Sequence, residues 1–97
     1  MTATSEVQLL WDAHRRAPFP PELAGEEIAG VDLVMLDADI AGCVSTWLRD
    51  RGRLDEERRR SLASCLQDVE RVLPLLEHQE AHAYYERLRR LTQLIVD

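Results

Sequence analysis

The chain has 97 residues, a formal net charge of −6 and a pI near 5.0, with 45% of its residues apolar and 31% charged. That length fits one domain, and that balance belongs to an ordinary globular protein rather than a disordered one. No apolar run approaches the ~18 residues of a membrane span, and no basic stretch precedes an apolar core at the N-terminus, so a cytoplasmic chain with no membrane partner is expected.

Val7, Leu10, Trp11 and His14 recur at the i, i+3, i+4 and i+7 spacing of one helical face, which predicts a short first helix over residues 6–16, capped by Ser5 or Thr4. His14 closes that stripe and reads as a packed, hydrogen-bonded side chain. The run Ala17-Pro18-Phe19-Pro20-Pro21 stops the helix, because proline lacks the amide hydrogen and forces the preceding residue out of the helical region. It makes a connector with Phe19 plugged into the core. Pro21 can open a turn through Glu22, Leu23 and Ala24 that Gly25 ends. Glu26 to Val31 reads as an irregular lead-in, after which Asp32 caps a helix at Leu33.

From Leu33 to Leu48 the residues Leu33, Leu36, Ile40, Cys43, Val44, Trp47 and Leu48 form one wide apolar stripe. Ala38, Ala41, Gly42 and Ser45 form a second edge, small enough for another helix backbone to approach closely. The segment is therefore expected as a central, two-faced helix that ends near Asp50 or Arg51, with Gly52 as the left-handed residue of its C-terminus. Asp55 then caps a third helix with Glu56 and Glu57 in its first turn, and the short bridge predicts a long antiparallel helical hairpin. Leu62, Cys65, Leu66, Val69, Val72, Leu73 and Leu76 are its stripe, and Pro74 kinks or ends it. After Glu77 a last helix runs to the C-terminus with Ala81, Tyr84, Tyr85, Leu88, Leu91 and Ile95 inward. No useful period-2 alternation occurs. The fold class is all-α, a small four-helix array in a single domain spanning residues 1–97.

All the excess charge is N-terminal. Residues 1–50 hold nine acids and three Arg, whereas residues 51–97 hold nine of each. Glu22, Glu26, Glu27, Asp32, Asp37 and Asp39 fall between Arg16 and Arg49 with no base among them. A one-sign cluster of this kind can steer a partner of opposite charge, although a solvated acidic loop and first helical turn is the plainer reading. Asp37 differs from the others, because it projects only ~40° from Leu33 at ~100° per residue and so lies within the apolar stripe. A buried carboxylate there needs an Arg or several backbone amides, or else marks a site.

Motif chemistry is sparse. His78 and His82 stand at i and i+4, but nothing places a third ligand, so no metal is expected. Asp37 and Asp39, two apart on a helix, point away from each other and cannot form a dyad. Arg58-Arg59-Arg60 is expected to pair with Glu56, Glu57 and solvent, and Arg87, Arg89 and Arg90 make a second basic cluster. The acidic balance nevertheless argues against a nucleic-acid partner. Cys43 and Cys65 lie on apolar stripes and are expected to be reduced and inert. No cofactor motif is present.

Leu9, Val34, Met35, Leu75 and Leu94 fall outside their helices' main stripes and require cover. The expected function is therefore a non-catalytic, acidic helical protein-interaction module. Its partner is another protein or a second copy as a homodimer, and Asp37, Glu26, Glu27, Asp32, Asp39, Met35 and Leu94 are the candidate binding residues. The alternative is a small ligand-binding or enzymatic domain using Asp37 with His14.

Overall fold

A computed structural model describes residues 2–96. Four helices dominate: α1 (Ala3–Arg16), α2 (Leu33–Arg49), α3 (Glu56–Val72) and α4 (Gln79–Val96). One-turn 3-10 helices occupy Pro21–Leu23 and Leu73–Leu75, and a two-stranded hairpin pairs β1 (Glu27–Ile28) with β2 (Val31–Asp32). The all-α array expected from the sequence is the fold, and Asp97, the expected end of the last helix, lies outside the described residues.

The helix starts follow local chemistry. Thr2 caps α1 by accepting from the Ser5 amide at 3.1 Å, two or three residues before the expected Thr4 or Ser5 cap. Asp32 caps α2 through the Met35 amide and Asp55 caps α3 through the Arg58 amide, both as expected. The α2 C-terminus is a Schellman closure, in which the Gly52 amide reaches the Trp47 carbonyl at 2.7 Å and the Arg51 amide reaches Leu48. The left-handed conformation expected of Gly52 alone is therefore shared, since Arg51 has φ 58° and Gly52 φ 86°. Pro74 ends α3 by converting its last turn to the tighter helix Leu73–Leu75.

Side-chain contacts fix the packing directions. Glu6 meets Arg90 and His14 meets Tyr84, so α1 runs antiparallel to α4. Arg59, near the start of α3, donates to the Ile95 carbonyl near the end of α4, which makes that pair antiparallel as well. Val7, Leu33, Ile40, Val44, Leu62, Val69, Val72, Tyr85, Leu88 and Leu91 are fully buried at the centre, and Phe19 packs against them from the connector. Thr92 is buried among them with its hydroxyl returned to the Leu88 carbonyl at 2.8 Å, which satisfies it within the helix.

The small-residue edge of α2 does not receive a helix. Ala38, Gly42 and Ser45 are exposed, and a Cβ added at Gly42 would meet nothing within 4 Å. Helices α3 and α4 both press on the apolar stripe instead, and it is α4 that packs extensively along all three of the others. The physical reason is area: Tyr84, Tyr85, Leu88, Leu91 and Ile95 offer more apolar surface to bury than alanine and serine can.

The stretch before α2 is more ordered than expected. Ala29 and Gly30, at φ 54° and 77°, turn the chain in two residues, and Glu27 lies opposite Asp32. Positive φ at both central positions is the primed turn that matches strand twist.

Candidate functional site

Three helices meet at one carboxylate. Asp37 on α2 accepts from the Tyr84 hydroxyl of α4 at 2.7 Å through Oδ2, while its Oδ1 lies 3.0 Å from His14 Nε2 on α1. A carboxylate only accepts, so the His14 tautomer that donates from Nε2 is the one that fits. The Tyr84 proton is committed to Asp37, which leaves its 3.4 Å approach to His14 as packing rather than a further bond. His14 is only 6% exposed and Asp37 19%.

The local sequence explains each placement. His14 and Val7 share the buried face of α1 one repeat apart. Asp37 follows Leu33 by one turn, and the Leu33 carbonyl itself accepts from Tyr85 at 2.6 Å. Adjacent tyrosines on α4 thus hold the first turns of α2, one by a side chain and one by the backbone. Aromatic rings wall the cluster: Trp11 stacks on His14 with centroids 5.8 Å apart, and Phe19 meets Tyr84 edge-on at 5.6 Å.

Burial pushes the Tyr84 phenol well above its ordinary range, and the Asp37 carboxylate it donates to adds to that shift. Burial does the same to Tyr85. A phenol held this firmly in its neutral form is a hydrogen-bond donor, not a base or nucleophile. Two polar atoms nearby are buried and take no hydrogen bond among the described residues, His14 Nδ1 and one terminal nitrogen of Arg87.

Asp37 lies on the apolar stripe as expected, and it meets His14, the residue named beside it only in the ligand-binding alternative. Among the described residues no Arg or backbone amide reaches the Asp37 carboxylate; Tyr84 takes that place, unflagged because a tyrosine on an apolar stripe reads as core. The basic cluster of α4 is also taken apart. Arg89 pairs with Glu86, and Arg90 reaches one Glu6 oxygen through two nitrogens at 3.1 and 2.9 Å. Arg58 pairs with Asp55 rather than with Glu56 or Glu57.

The remaining acids lie at the surface. Asp32 is occupied as the α2 cap, Glu27 faces it across the hairpin, and Glu26 accepts the Leu33 amide through its carbonyl. Two grooves border the hairpin. The first, touching β1, has Leu23, Ile28, Leu75, Leu76 and Ala81 with Glu22, Glu26, Glu77 and His78 around them. The second, touching β2, includes Met35, Leu36 and Cys65 with Asp32, Asp39, Asp68 and Arg71. Met35 is 54% exposed and Leu75 53%, and Leu9 and Val34 are exposed too. Leu94 departs from the expectation, because it is half-buried and packs against the core.

Both cysteines are free and buried, and burial raises the Cys65 thiol to about 11 and moves Cys43 in the same direction. No group of His, Cys, Asp and Glu among the described residues has the arrangement of a metal site. Comparison with protein-family models, with curated proteins and with solved structures finds no match to this chain.

Proposed function

We propose that the chain is a non-catalytic protein-interaction module that binds through the end of the molecule carrying the hairpin. The observation that supports this is the placement of exposed Met35 and Leu75 in two acid-bordered grooves, one against each strand of the hairpin. Large exposed apolar side chains rimmed by polar residues are the usual anatomy of a binding patch. Asp37 and His14 act in this reading as a lock that fixes α1, α2 and α4 behind that end.

The alternative, a ligand-binding or enzymatic domain using Asp37 with His14, draws on their 3.0 Å pairing and on the unpartnered His14 Nδ1. Against it, both Asp37 oxygens are engaged and the imidazole is packed between Trp11 and Tyr84.

The test compares the parent chain with a Met35→Arg/Leu75→Arg variant in a native-host pull-down, with mass measurement of the intact assembly. A partner or a second copy held by the parent and lost by the variant is the expected result. A strict monomer with no partner recovered would end this reading.

A further inference from the structure

We propose that the groove between the Pro21–Leu23 turn and the Leu73–Leu75 turn binds a basic segment of a partner protein. An apolar side chain of that segment seats on Leu75 and Leu76, and flanking Arg or Lys residues lie over Glu22, Glu26 and Glu77. The proposal rests on the interaction-module reading and adds to it the chemistry of the partner.

Size comes first. The groove has a volume of about 210 Å³, below the ~300–1,000 Å³ of small-molecule sites, so it suits one anchoring side chain rather than a whole ligand. Its floor is apolar, and Leu75, its most exposed apolar residue, gains cover only when something sits on it. Its acids are unpaired, with His78 as the basic side chain beside them. Glu22, Glu26 and Glu77 make no ion pair among the described residues, and no Arg lines the groove. The neighbouring groove differs, since its Asp68 already holds Arg71 at 2.5 Å.

Like charges around one small groove repel over a Debye length of ~8–10 Å, and an incoming cation relieves that repulsion while its on-rate rises with the acidic field. A second copy is the weaker occupant. In the chain's own basic loop Arg49 is already paired with Asp50, and Leu54 beside Arg53 packs against the core, so the loop has no free apolar anchor to seat on Leu75.

Selection of a displayed random peptide library on the full chain tests this directly. Enriched peptides are expected to carry Leu, Ile or Phe flanked by Arg or Lys. A synthetic copy should move the amide resonances of residues 22–28 and 75–81, and its binding should weaken with added salt. Affinity should fall roughly tenfold or more in Leu75→Ser and in Glu22→Gln/Glu26→Gln/Glu77→Gln. Both variants should keep the parent melting temperature, because these side chains are at the surface. Acidic or neutral winners, equal binding by both variants, or no enrichment would overturn the proposal. Shifts at Met35 and Asp39 instead would overturn the groove assignment while leaving the module reading intact. Concentration-dependent self-assembly abolished by Leu75→Ser would make the occupant a second copy and overturn it as well.

Discussion

Asp37 and Tyr84, 47 residues apart in the chain, are joined by a 2.7 Å hydrogen bond that completes a carboxylate already paired with His14. A charge-assisted bond of this kind contributes ~1.5–3 kcal/mol, and removing one partner leaves the other unsatisfied. Tyr84→Phe is therefore expected to destabilise by about 1–2 kcal/mol.

Asp37→Asn keeps the shape but turns one acceptor into a donor, so it cannot serve both neighbours as the carboxylate does. A clear drop in melting temperature is expected, and the Asp37→Asn/Tyr84→Phe double variant should lose less than the sum of the two single ones. An unchanged or higher melting temperature for Asp37→Asn would overturn the role of lock and make Asp37 the first residue to test for ligand binding.

The buried phenols and thiols set the alkaline limit. Tyr84, Tyr85, Cys43 and Cys65 all have folded-state pKa values raised chiefly by burial, with Cys65 reaching about 11 from an ordinary 9.0. Above about pH 9 the unfolded chain gives up protons that the folded chain keeps, so it binds fewer of them and stability falls as pH rises. Melting temperature should hold up to about pH 8 and then decline, first through the thiols and then, beyond about pH 10, through the phenols. Cys43→Ala/Cys65→Ala should flatten the first part of the decline without removing the second. A melting temperature constant to about pH 11 would contradict this assignment.

Much of the fold was legible because its helices carry wide stripes between strong stops. Asp32 and Asp55 announced their caps, the prolines at 18 and 74 fell where α-helical hydrogen bonding ends, and Pro21 opened the 3-10 turn. Two things escaped. The central place of α4 depends on which stripe offers most area to three neighbours at once, a comparison between helices that the periodicity of one helix does not contain. The hairpin escaped because two-residue strands give no alternation to read, and Ala29 hides a left-handed position that Asn or Gly would have signalled. Of the candidate site, the acid and its histidine were visible as polar residues on apolar stripes; the tyrosine was not, since its ring belongs to the core and only its hydroxyl belongs to the cluster.

Gly52 closes α2 by donating to Trp47 at 2.7 Å with φ 86°. A Cβ at this position would stand 3.4 Å from the Trp47 ring, so backbone strain rather than collision decides the outcome. Gly52→Val is expected to destabilise by about 1–2 kcal/mol, since a β-branched side chain resists the left-handed region, and Gly52→Ala by somewhat less. Denaturant titrations of the two variants, with unchanged slopes, would check this order.

The hairpin itself is built against two local preferences. Ala29 holds φ 54° in a turn that favours Asn before Gly, and Glu27 faces Asp32 across the ladder with like charge. Because the Ala29-Gly30 turn makes Ile28 and Val31 the hydrogen-bonded pair, Glu27 and Asp32 fall in the adjacent narrow pair, where opposed side chains stand closest. Asp32 cannot be exchanged without losing the α2 cap, but Ala29 and Glu27 make no such contact. Ala29→Asn should therefore stabilise by about 0.5–1 kcal/mol, and Glu27→Arg by about 0.2–1 kcal/mol through an attractive cross-strand pair. Together they should raise the melting temperature by roughly 3–16 °C, at about 4–8 °C per kcal/mol for a chain of this size. Thermal melts of the two single variants and the pair would check both terms, and a lower melting temperature for Ala29→Asn would show that the turn is not of the primed type.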